Sequence, residues 1–435
     1  MRRISRNSIG FVKRRIMAAS VAIIIISIFA GFGNTSQVLA EEFKLEVEQI
    51  TEGPNHHFFG YIGHVGTIPW NASGRYILSL ETGFHDHMPA PTDAANILLI
   101  DTENDYKQIE VDETRAWNFQ QGTMFYWNPE KPETQFFFND RDTTNNHVFT
   151  VLYDIEKRKR IKEYRYPDTP FGNSGVAQNG GKFLGINYAR LARLRPVTGY
   201  PEAYDWTVGE QAPDDDGVFI VDVKTGEKRL LVSFKELADD LELLNPAAGE
   251  HPLFINHTLW NRTDDLIYFY VRAQYLTRKK SVNNPYTIRP DGTGLTHHKY
   301  YGGHPEWLPG DKIIGSHGDD QIIYSIPEKK IVGKIGNPEI LPKTGGDTAL
   351  SPDEKWIAVS WKEGKGAGMS YYVIFRRSDM AYVHSPGISR GGRLEGELRV
   401  DPAPRWNRTS DKLLVPGAAD DGTRQLFIIT MTVED

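Results

Sequence analysis

Trp260-Asn261, followed by a polar turn and the apolar run LIYFY, decides the fold because variants of this stretch recur along the chain. Each copy has Trp-Asn or a related stretch, a polar turn, and a run of apolar or aromatic residues. Short apolar runs bounded by Asn, Asp, Gly and Pro are typical of β-strands separated by turns. The copies are Trp70-Asn71 before YILSL, Trp127-Asn128 before QFFF, Gln178-Asn179 before KFLGI, Trp260-Asn261 before LIYFY, Trp307-Leu308 before KIIG, Ser351-Pro352-Asp353 before WIAVS, and Trp406-Asn407 before KLLV.

A second strand motif alternates with the first, and together they define seven repeats. Its copies are NILLID, VFTVLYD, VFIVDV, PYTIRP, QIIYSI, YYVIF and QLFIIT. A repeat of roughly 45 to 85 residues that holds about four strands favours a β-propeller blade over a solenoid. A pair of β-sandwiches would not explain one motif that recurs seven times. The sequence therefore predicts an all-β fold, a single seven-bladed β-propeller.

Two segments outside the repeat also carry structural information. Residues 233–244 (SFKELADDLELL) have a strongly helical pattern, with Ser233 and Glu236 as a capping box, and we interpret them as an insertion. Residues 43–49 alternate between polar and apolar side chains. We expect this segment to close the ring by pairing with the last blade.

The first 40 residues have the pattern of an export signal. They contain six basic residues and no acidic ones, followed by an apolar run over residues 16–32, and they end in Val38-Leu39-Ala40. We therefore predict a signal peptide over residues 1–40, a propeller domain over residues 41–435, and a secreted or periplasmic protein. An uncleaved membrane anchor is the alternative, because the apolar run is nearly long enough to span a bilayer.

The composition excludes several classes of function. The 435 residues contain no Cys, which rules out disulfide scaffolds, Cys-ligated zinc or iron–sulfur sites, and thiol catalysis. The formal net charge is −7, and the part after residue 40 has 44 basic and 57 acidic residues, a net charge of −13. Because a nonspecific nucleic-acid binder is normally basic, a nucleic-acid partner is not expected.

Histidines are concentrated in the first repeat, and propellers carry their sites on loops at the mouth of the central channel. His64 lies between glycines and His85 lies in a polar loop. Histidines in such places act as general acids or bases near neutral pH. For His56 and His57, packing around the ring closure is the favoured interpretation.

Three further side chains of the early repeats are candidates for chemistry. Arg141 could bind a carboxylate through two nitrogens, although it could instead pair with Asp140 or Asp142. Tyr126 and Tyr188 could each supply a phenolic acid or base. Most other tyrosines are expected to pack in the core.

The third repeat contains a run of arginines, Arg190, Arg193 and Arg195. A run of like charges usually forms a solvated face of the protein. In a chain with a net charge of −13, however, a local basic patch beside histidines indicates an anionic ligand.

The later repeats contain a candidate metal site. His257 and His304 occupy matching positions just before two blade motifs, so we expect them to converge on the channel axis. The matching residue is Asp347 in the sixth repeat and about Ala403 in the seventh. Two imidazoles and a carboxylate suit a divalent metal such as zinc, calcium or manganese, which we predict to be structural.

The motifs NHTLWN and GHPEW resemble those of the oligogalacturonate-lyase group of seven-bladed polysaccharide lyases. The first half of the chain is more similar to the propeller-type ulvan lyases, which use two His, Tyr and Arg in the early blades. Asp347 and Ala403 stand where oligogalacturonate lyases have further metal-binding histidines. This departure counts against metal-assisted cleavage of pectin fragments as the function.

The resemblance implies a lyase that cleaves ulvan by β-elimination and leaves unsaturated uronate ends. A base removes the C5 proton of a uronate, an acid protonates the leaving O4 oxygen, and a cation neutralises the carboxylate. Arg141 is the expected neutralising group, and His85 or Tyr188 the expected base. His64 or Tyr126 is the complementary acid. The arginine run of the third repeat would recognise sulfate or carboxylate groups.

Two other functions stay open at this stage. One is a lyase or hydrolase that acts on another acidic glycan, including pectin fragments. The other is a non-enzymatic periplasmic propeller of the TolB-like class. The expected partner is an anionic polysaccharide, with no membrane contact beyond export, and the oligomeric state is left open.

Overall fold

The computed structural model describes residues 43–60, 67–244, 249–274, 282–299, 302–363, 368–392 and 396–433. These residues belong to one compact unit that spans residues 36–435. They form seven antiparallel sheets, which confirms the predicted seven-bladed β-propeller. The predicted signal peptide over residues 1–40 lies outside the described residues. No helix in the described ranges is long and apolar enough to cross a membrane.

Blades 1 to 6 are each built from consecutive strands. Blade 1 contains β2 (His56–Phe58), β3 (Tyr76–Thr82), β4 (Ala95–Asp101) and β5 (Lys107–Thr114). Blade 2 contains β6 (Tyr126–Trp127), β7 (Gln135–Arg141), β8 (Val148–Asp154) and β9 (Lys159–Tyr164). Blade 3 contains β10 (Gly172–Val176), β11 (Lys182–Ile186), β12 (Gly217–Asp222) and β13 (Lys228–Ser233).

The second half of the ring repeats this order. Blade 4 contains β14 (Phe254–Trp260), β15 (Ile267–Ala273), β16 (Val282–Ile288) and β17 (Thr296–His297). Blade 5 contains β18 (Gly302–Leu308), β19 (Lys312–His317), β20 (Asp320–Ser325) and β21 (Lys330–Lys334). Blade 6 contains β22 (Thr348–Leu350), β23 (Trp356–Glu363), β24 (Met369–Arg376) and β25 (Tyr382–His384), with a short β26 (Ile388–Ser389) beside β24.

The seventh blade joins the two ends of the propeller. It contains β27 (Arg405–Trp406), β28 (Lys412–Ala418), β29 (Arg424–Val433) and, at its outer edge, β1 (Phe43–Gln49). Strand β1 is antiparallel to β29 over its whole length, from Phe43 opposite Val433 to Gln49 opposite Phe427. The predicted ring closure by residues 43–49 is therefore confirmed.

The first strand of each blade lines the centre of the ring. Neighbouring first strands contact one another, as β10 does with β14 and β18 does with β22. Farther out, both faces of a blade are buried against its neighbours. In β7, Phe137 packs with blade 3 residues, whereas Phe136 and Phe138 pack with blade 1 residues on the other face. This burial on both faces explains why the strands are continuous apolar runs.

In blades 2, 4, 5 and 7, the repeated tryptophan links the blade to the one before it. Its indole nitrogen donates a hydrogen bond to a main-chain oxygen of the preceding blade. The acceptor residue lies shortly before the motif turn of that blade. These bonds are Trp127 to Pro69 (2.7 Å), Trp260 to Gly175 (3.1 Å), Trp307 to Leu259 (3.2 Å) and Trp406 to Ala349 (3.0 Å). The tryptophan recurs in the sequence because it fixes one blade against the next.

The residue after the tryptophan holds the turn that follows. The Asn261 side-chain oxygen accepts hydrogen bonds from the backbone nitrogens of Asp265 and Leu266, each at 3.1 Å. In blade 6, the Ser351 hydroxyl accepts one from the Trp356 nitrogen at 2.9 Å. Side chains of this kind satisfy turn amides that would otherwise lack a partner.

Two α-helices interrupt the repeat. Helix α2 (Phe234–Glu242) begins at the predicted capping box, in which Ser233 and Glu236 bond each other's backbone. Helix α1 (Tyr188–Leu194) follows β11 and was not predicted. Asn187 caps it by accepting a hydrogen bond from the Arg190 nitrogen at 2.9 Å.

We expect Trp260→Phe to lower the free energy of unfolding by about 1–3 kcal/mol more than a matched control does, because it leaves the buried Gly175 oxygen without its donor. The control is Trp356→Phe, since the Trp356 indole nitrogen makes no hydrogen bond within the described part of the chain. Urea denaturation of both variants measures the difference. Equal losses would show that the hydrogen bond does not stabilise the blade interface.

Candidate active site

The first strands of blades 4, 5 and 6 bring three residues of the sequence-predicted metal site together. The rings of His257 and His304 have centroids 5.7 Å apart and lie at 61° to each other. His304 Nδ1 lies 2.8 Å from Asp347 Oδ1. The other Asp347 oxygen accepts a hydrogen bond from the Ala403 nitrogen at 3.0 Å. Matching positions of four blades therefore form one continuous row.

Burial and neighbouring charges set the ionisation of this row. Burial keeps the pKa of His257 well below its usual value, and Arg272, His304 and Arg195 lower it further. Burial opposes ionisation of Asp347, but His304 and then Lys362 hold the pKa of this carboxyl below its usual range. The His304 side chain is 29% exposed, so it is the member of the row that faces solvent.

The donor chemistry of this row fits a divalent cation. His257 Nδ1 is buried without a hydrogen-bond partner among the described residues. Together with His304 and Asp347 it offers the nitrogen and oxygen donors that manganese and zinc accept. Within the described ranges, however, no three His, Asp or Glu side chains already converge as a metal-binding group.

Two further side chains near the row are buried with unsatisfied polar atoms. Both amide atoms of Asn256, which precedes His257 in β14, lack partners among the described residues, and so does Glu306 Oε1. Burial raises the pKa of Glu306 to about 7, although Arg405 and Arg262 oppose the shift. An unmade hydrogen bond in the interior costs about 1–3 kcal/mol, so a group of such atoms indicates that a polar ligand or water binds there.

Sequence reasoning missed Asn256 and Glu306 as site residues. Both belong to the quoted motifs NHTLWN and GHPEW, which we interpreted only as blade signatures. The available signal was a carboxylate where four other blades have Pro69, Gly175, Leu259 or Ala349, although blades 2 and 7 have Tyr126 and Arg405 there.

The histidines of blade 1 are packed against aromatic rings. The His85 ring is buried and stacks on Phe119 at 4.2 Å, and it meets the His56 ring edge-on at 5.4 Å. His56 Nδ1 accepts a hydrogen bond from the Arg424 nitrogen at 2.9 Å. His64 lies outside the described residues. For His56, this contact agrees with the expected packing role.

The two candidate tyrosines are buried and therefore hold their protons. Burial raises the pKa of Tyr126 far above its usual value, although Thr67 and Arg405 oppose the shift. Burial likewise raises the pKa of Tyr188, whose hydroxyl donates to the Asn173 oxygen at 3.1 Å. Both phenols suit a proton donor better than the base role that the sequence left open for Tyr188.

Arg141 ties together two loops beside the early blades. Its terminal nitrogens donate to the Pro201 oxygen at 2.6 Å and the Ala90 oxygen at 3.3 Å. Burial lowers the pKa of Arg141 to about 10. The side chain pairs with neither Asp140 nor Asp142, and only its Nε remains without a partner among the described residues.

The arginine run divides into three different environments, because Arg190 and Arg193 lie on helix α1 and Arg195 caps its C-terminal end. Arg190 points inward and donates to the Leu253 oxygen (2.6 Å), the Thr207 hydroxyl (2.8 Å) and the Gln211 oxygen (2.7 Å). Arg190 is almost completely buried, so our expectation that it belongs to an open basic patch is wrong.

The other two arginines of the run have different neighbours. Arg193 pairs with Asp205 at 2.8 Å. Arg195 lies close enough to His257 to lower its pKa. Arg195 is thus the member of the run that the structure brings to the His257–His304–Asp347 row.

The structure is similar to solved propellers. It matches an oligogalacturonate lyase in complex with manganese at 14% identity and a TM-score of 0.60, over 90% of this chain and 96% of that one. It also matches the β-propeller domain of Myceliophteria thermophila Cps50 (13% identity, 87% and 100% coverage, TM-score 0.46). A prolyl endopeptidase matches at 9% identity over 88% of this chain and 50% of that one, with a TM-score of 0.48.

The chain shares the β-propeller fold of this solved lyase. No protein-family model and no curated protein matches the sequence. At 14% identity the likeness to the lyase establishes the fold alone, so the chemistry depends on the residues at the channel mouth.

Stability should depend on pH through Asp216, at the end of the insertion that contains α1. Burial raises the pKa of Asp216 to about 7 from 3.8, although Asn187 donates to it at 3.0 Å. Because the folded-state pKa is the higher one, the protonated form favours folding, and this contribution is lost as pH rises from about 4 through 7. Asp216→Asn should remove a pH dependence on the order of 3–4 kcal/mol.

Denaturant unfolding at pH 4.5 and pH 7.5 measures this slope, with the exposed neighbour Asp214→Asn as the control. The control should keep the slope of the unchanged protein. Parallel pH profiles for Asp216→Asn and Asp214→Asn would show that Asp216 does not titrate in this range.

Proposed function

We propose that the protein is a secreted polysaccharide lyase that cleaves ulvan, a sulfated uronate polysaccharide, by β-elimination. The observation that supports it is the His257–His304–Asp347 row, with Arg195 and Arg272 beside it. The neighbour named above is a lyase of oligogalacturonate, which is also built from uronates. The basic and apolar segments of residues 1–40 support export. The ligand would be an anionic polysaccharide.

The row offers the groups that β-elimination needs. The C5 proton of a uronate is weakly acidic until the neighbouring carboxylate is neutralised, and Arg195 and the buried Arg272 supply positive charge. Asp347 contacts His304 through Nδ1, which leaves Nε2 as the proton acceptor and stabilises the charged ring. Tyr126 keeps its proton and suits the acid that protonates the leaving oxygen.

A divalent cation could take part in the proposed reaction. His257, His304 and Asp347 would hold it, and when bound it would supply the charge that neutralises the substrate carboxylate. His85, which the sequence analysis named as an expected base, would then be the candidate for the proton acceptor. A chelator-treated sample with and without added manganese separates the two arrangements.

A second candidate is a lyase of oligogalacturonate or another acidic glycan. From the sequence, Asp347 and Ala403 counted against a metal-assisted lyase of this kind. The convergence of His257 and His304 supports this candidate, because the two imidazoles could bind a cation. A non-enzymatic TolB-like propeller is the third alternative. The unsatisfied polar atoms of Asn256 and Glu306 count against it, because a scaffold gains nothing from keeping them in its channel.

The purified protein should raise the ultraviolet absorbance of unsaturated uronate when it is incubated with ulvan. Polygalacturonate and glucuronan are the parallel substrates. A rise with polygalacturonate alone would favour the second candidate. No rise with any of the three would support the scaffold.

We expect His304→Ala and Asp347→Asn each to lower kcat on ulvan at least about a hundredfold, the typical contribution of a positioned acid or base. His317→Ala is the matched control, because His317 is an exposed histidine of the same blade. It should retain full activity. An unchanged kcat in His304→Ala would remove the row from the mechanism.

A further inference from the structure

A buried arginine between blades 6 and 7 forms no ion pair with any carboxylate that the structure describes. Arg390 directly follows β26, which pairs with the start of β24. The residue is only 3% exposed. Its Nε and one terminal nitrogen are buried without a hydrogen bond, and none of the described carboxylates forms an ion pair with it.

The carboxylate in this region is already shared. Asp401 contacts the Lys362 amine, and it accepts a hydrogen bond from Arg399 Nε at 2.9 Å. Asp401 also interacts electrostatically with Arg390. This one carboxylate therefore interacts with Lys362, Arg399 and Arg390. Asp347, the next carboxylate along the mouth, is engaged by His304. The region between blades 6 and 7 therefore has an excess of positive charge.

A buried hydroxyl lies on the same face of the sheet. Ser370 is completely buried, and its hydroxyl has no partner among the described residues. Residues two apart on a strand share a face, so Ser370 lies beside Tyr372, which interacts electrostatically with Arg390. The Tyr372 hydroxyl donates to the Pro402 oxygen at 2.7 Å, whereas Ser370 and Arg390 have donors for which the described residues offer no acceptor.

An unpaired guanidinium in the interior destabilises the folded state unless an anion binds it. Arginine presents several donors in a plane, which match the oxygens of a carboxylate or a sulfate, and a serine hydroxyl adds one more donor. The two residues together thus have the chemistry of an oxyanion site.

We propose that Arg390 and Ser370 form a subsite that binds an oxyanion of the polysaccharide, either a sulfate ester or a second uronate carboxylate. The identity of the ligand rests on the proposed function. The subsite lies between blades 6 and 7, away from the early blades in which the sequence placed substrate recognition.

Calorimetric binding of ulvan oligosaccharides, and of the same oligosaccharides after desulfation, tests the subsite. Arg390→Gln should weaken binding about ten- to hundredfold, the range for a hydrogen bond to a charged group. Arg376→Gln is the matched control, because Arg376 lies at the other end of β24 and already pairs with Asp379 at 2.7 Å. It should bind as the unchanged protein does.

The two ligand sources give different results. A loss confined to the sulfated oligosaccharides identifies a sulfate subsite, and an equal loss on both sets identifies a carboxylate subsite. Unchanged binding by Arg390→Gln on both sets, or no binding by the unchanged protein to either, overturns the proposal.

Thermal unfolding distinguishes this role from a structural one. Because no described carboxylate forms an ion pair or hydrogen bond with Arg390, Arg390→Gln should unfold at the same temperature or higher. Ser370→Ala should weaken binding by a smaller factor. A clearly lower unfolding temperature for Arg390→Gln would show a structural arginine and overturn the subsite.

The subsite and the lyase proposal fail in different ways. If the unchanged protein binds ulvan oligosaccharides through Arg390 but releases no unsaturated uronate, the lyase proposal fails and the subsite stands. If it cleaves ulvan and Arg390→Gln keeps the same KM, the subsite fails and the lyase stands.

Discussion

The hydrogen bond from the repeated tryptophan to the preceding blade is the interaction on which the geometry of the channel depends. It fixes both the spacing and the height of one inner strand against the next. His257 lies three residues before Trp260, and His304 three residues before Trp307. Because both tryptophans make the same bond, the two histidines lie at one level of the channel. The structural motif of the blades therefore also positions the candidate chemistry.

Where the tryptophan is missing, other polar contacts join the blades. Blade 3 has no tryptophan in its motif, and Asn139 and Asn173 connect it to blade 2 through side-chain and main-chain hydrogen bonds of 2.7 to 2.9 Å. At the closure, Arg408 of blade 7 donates to the Trp70 and Asn71 oxygens of blade 1. Each seam thus has a directional contact in addition to its apolar core, which keeps the ring in register.

The periodic features of this protein could be predicted from the sequence, and the non-periodic ones could not. The blade motif predicted the propeller, and the matching offset of His257, His304 and Asp347 predicted their convergence. Arg190 shows the limit, because its burial depends on the unpredicted helix α1 and on carbonyls such as that of Leu253, 63 residues away. Asn256 shows another limit, since a missing hydrogen-bond partner is visible only in three dimensions.

The net charge of −13 after residue 40 does not oppose a polyanionic ligand, because charges act over different distances inside and outside the channel. At physiological salt, exposed charges are screened beyond about 8 Å, so the acidic outer surface has little effect at the mouth. Buried cations such as Arg272 and Arg390 are screened far less, and the lower dielectric strengthens their attraction for an anion that enters. The charges close to the mouth, and not the sum over the chain, therefore decide which ligands can bind.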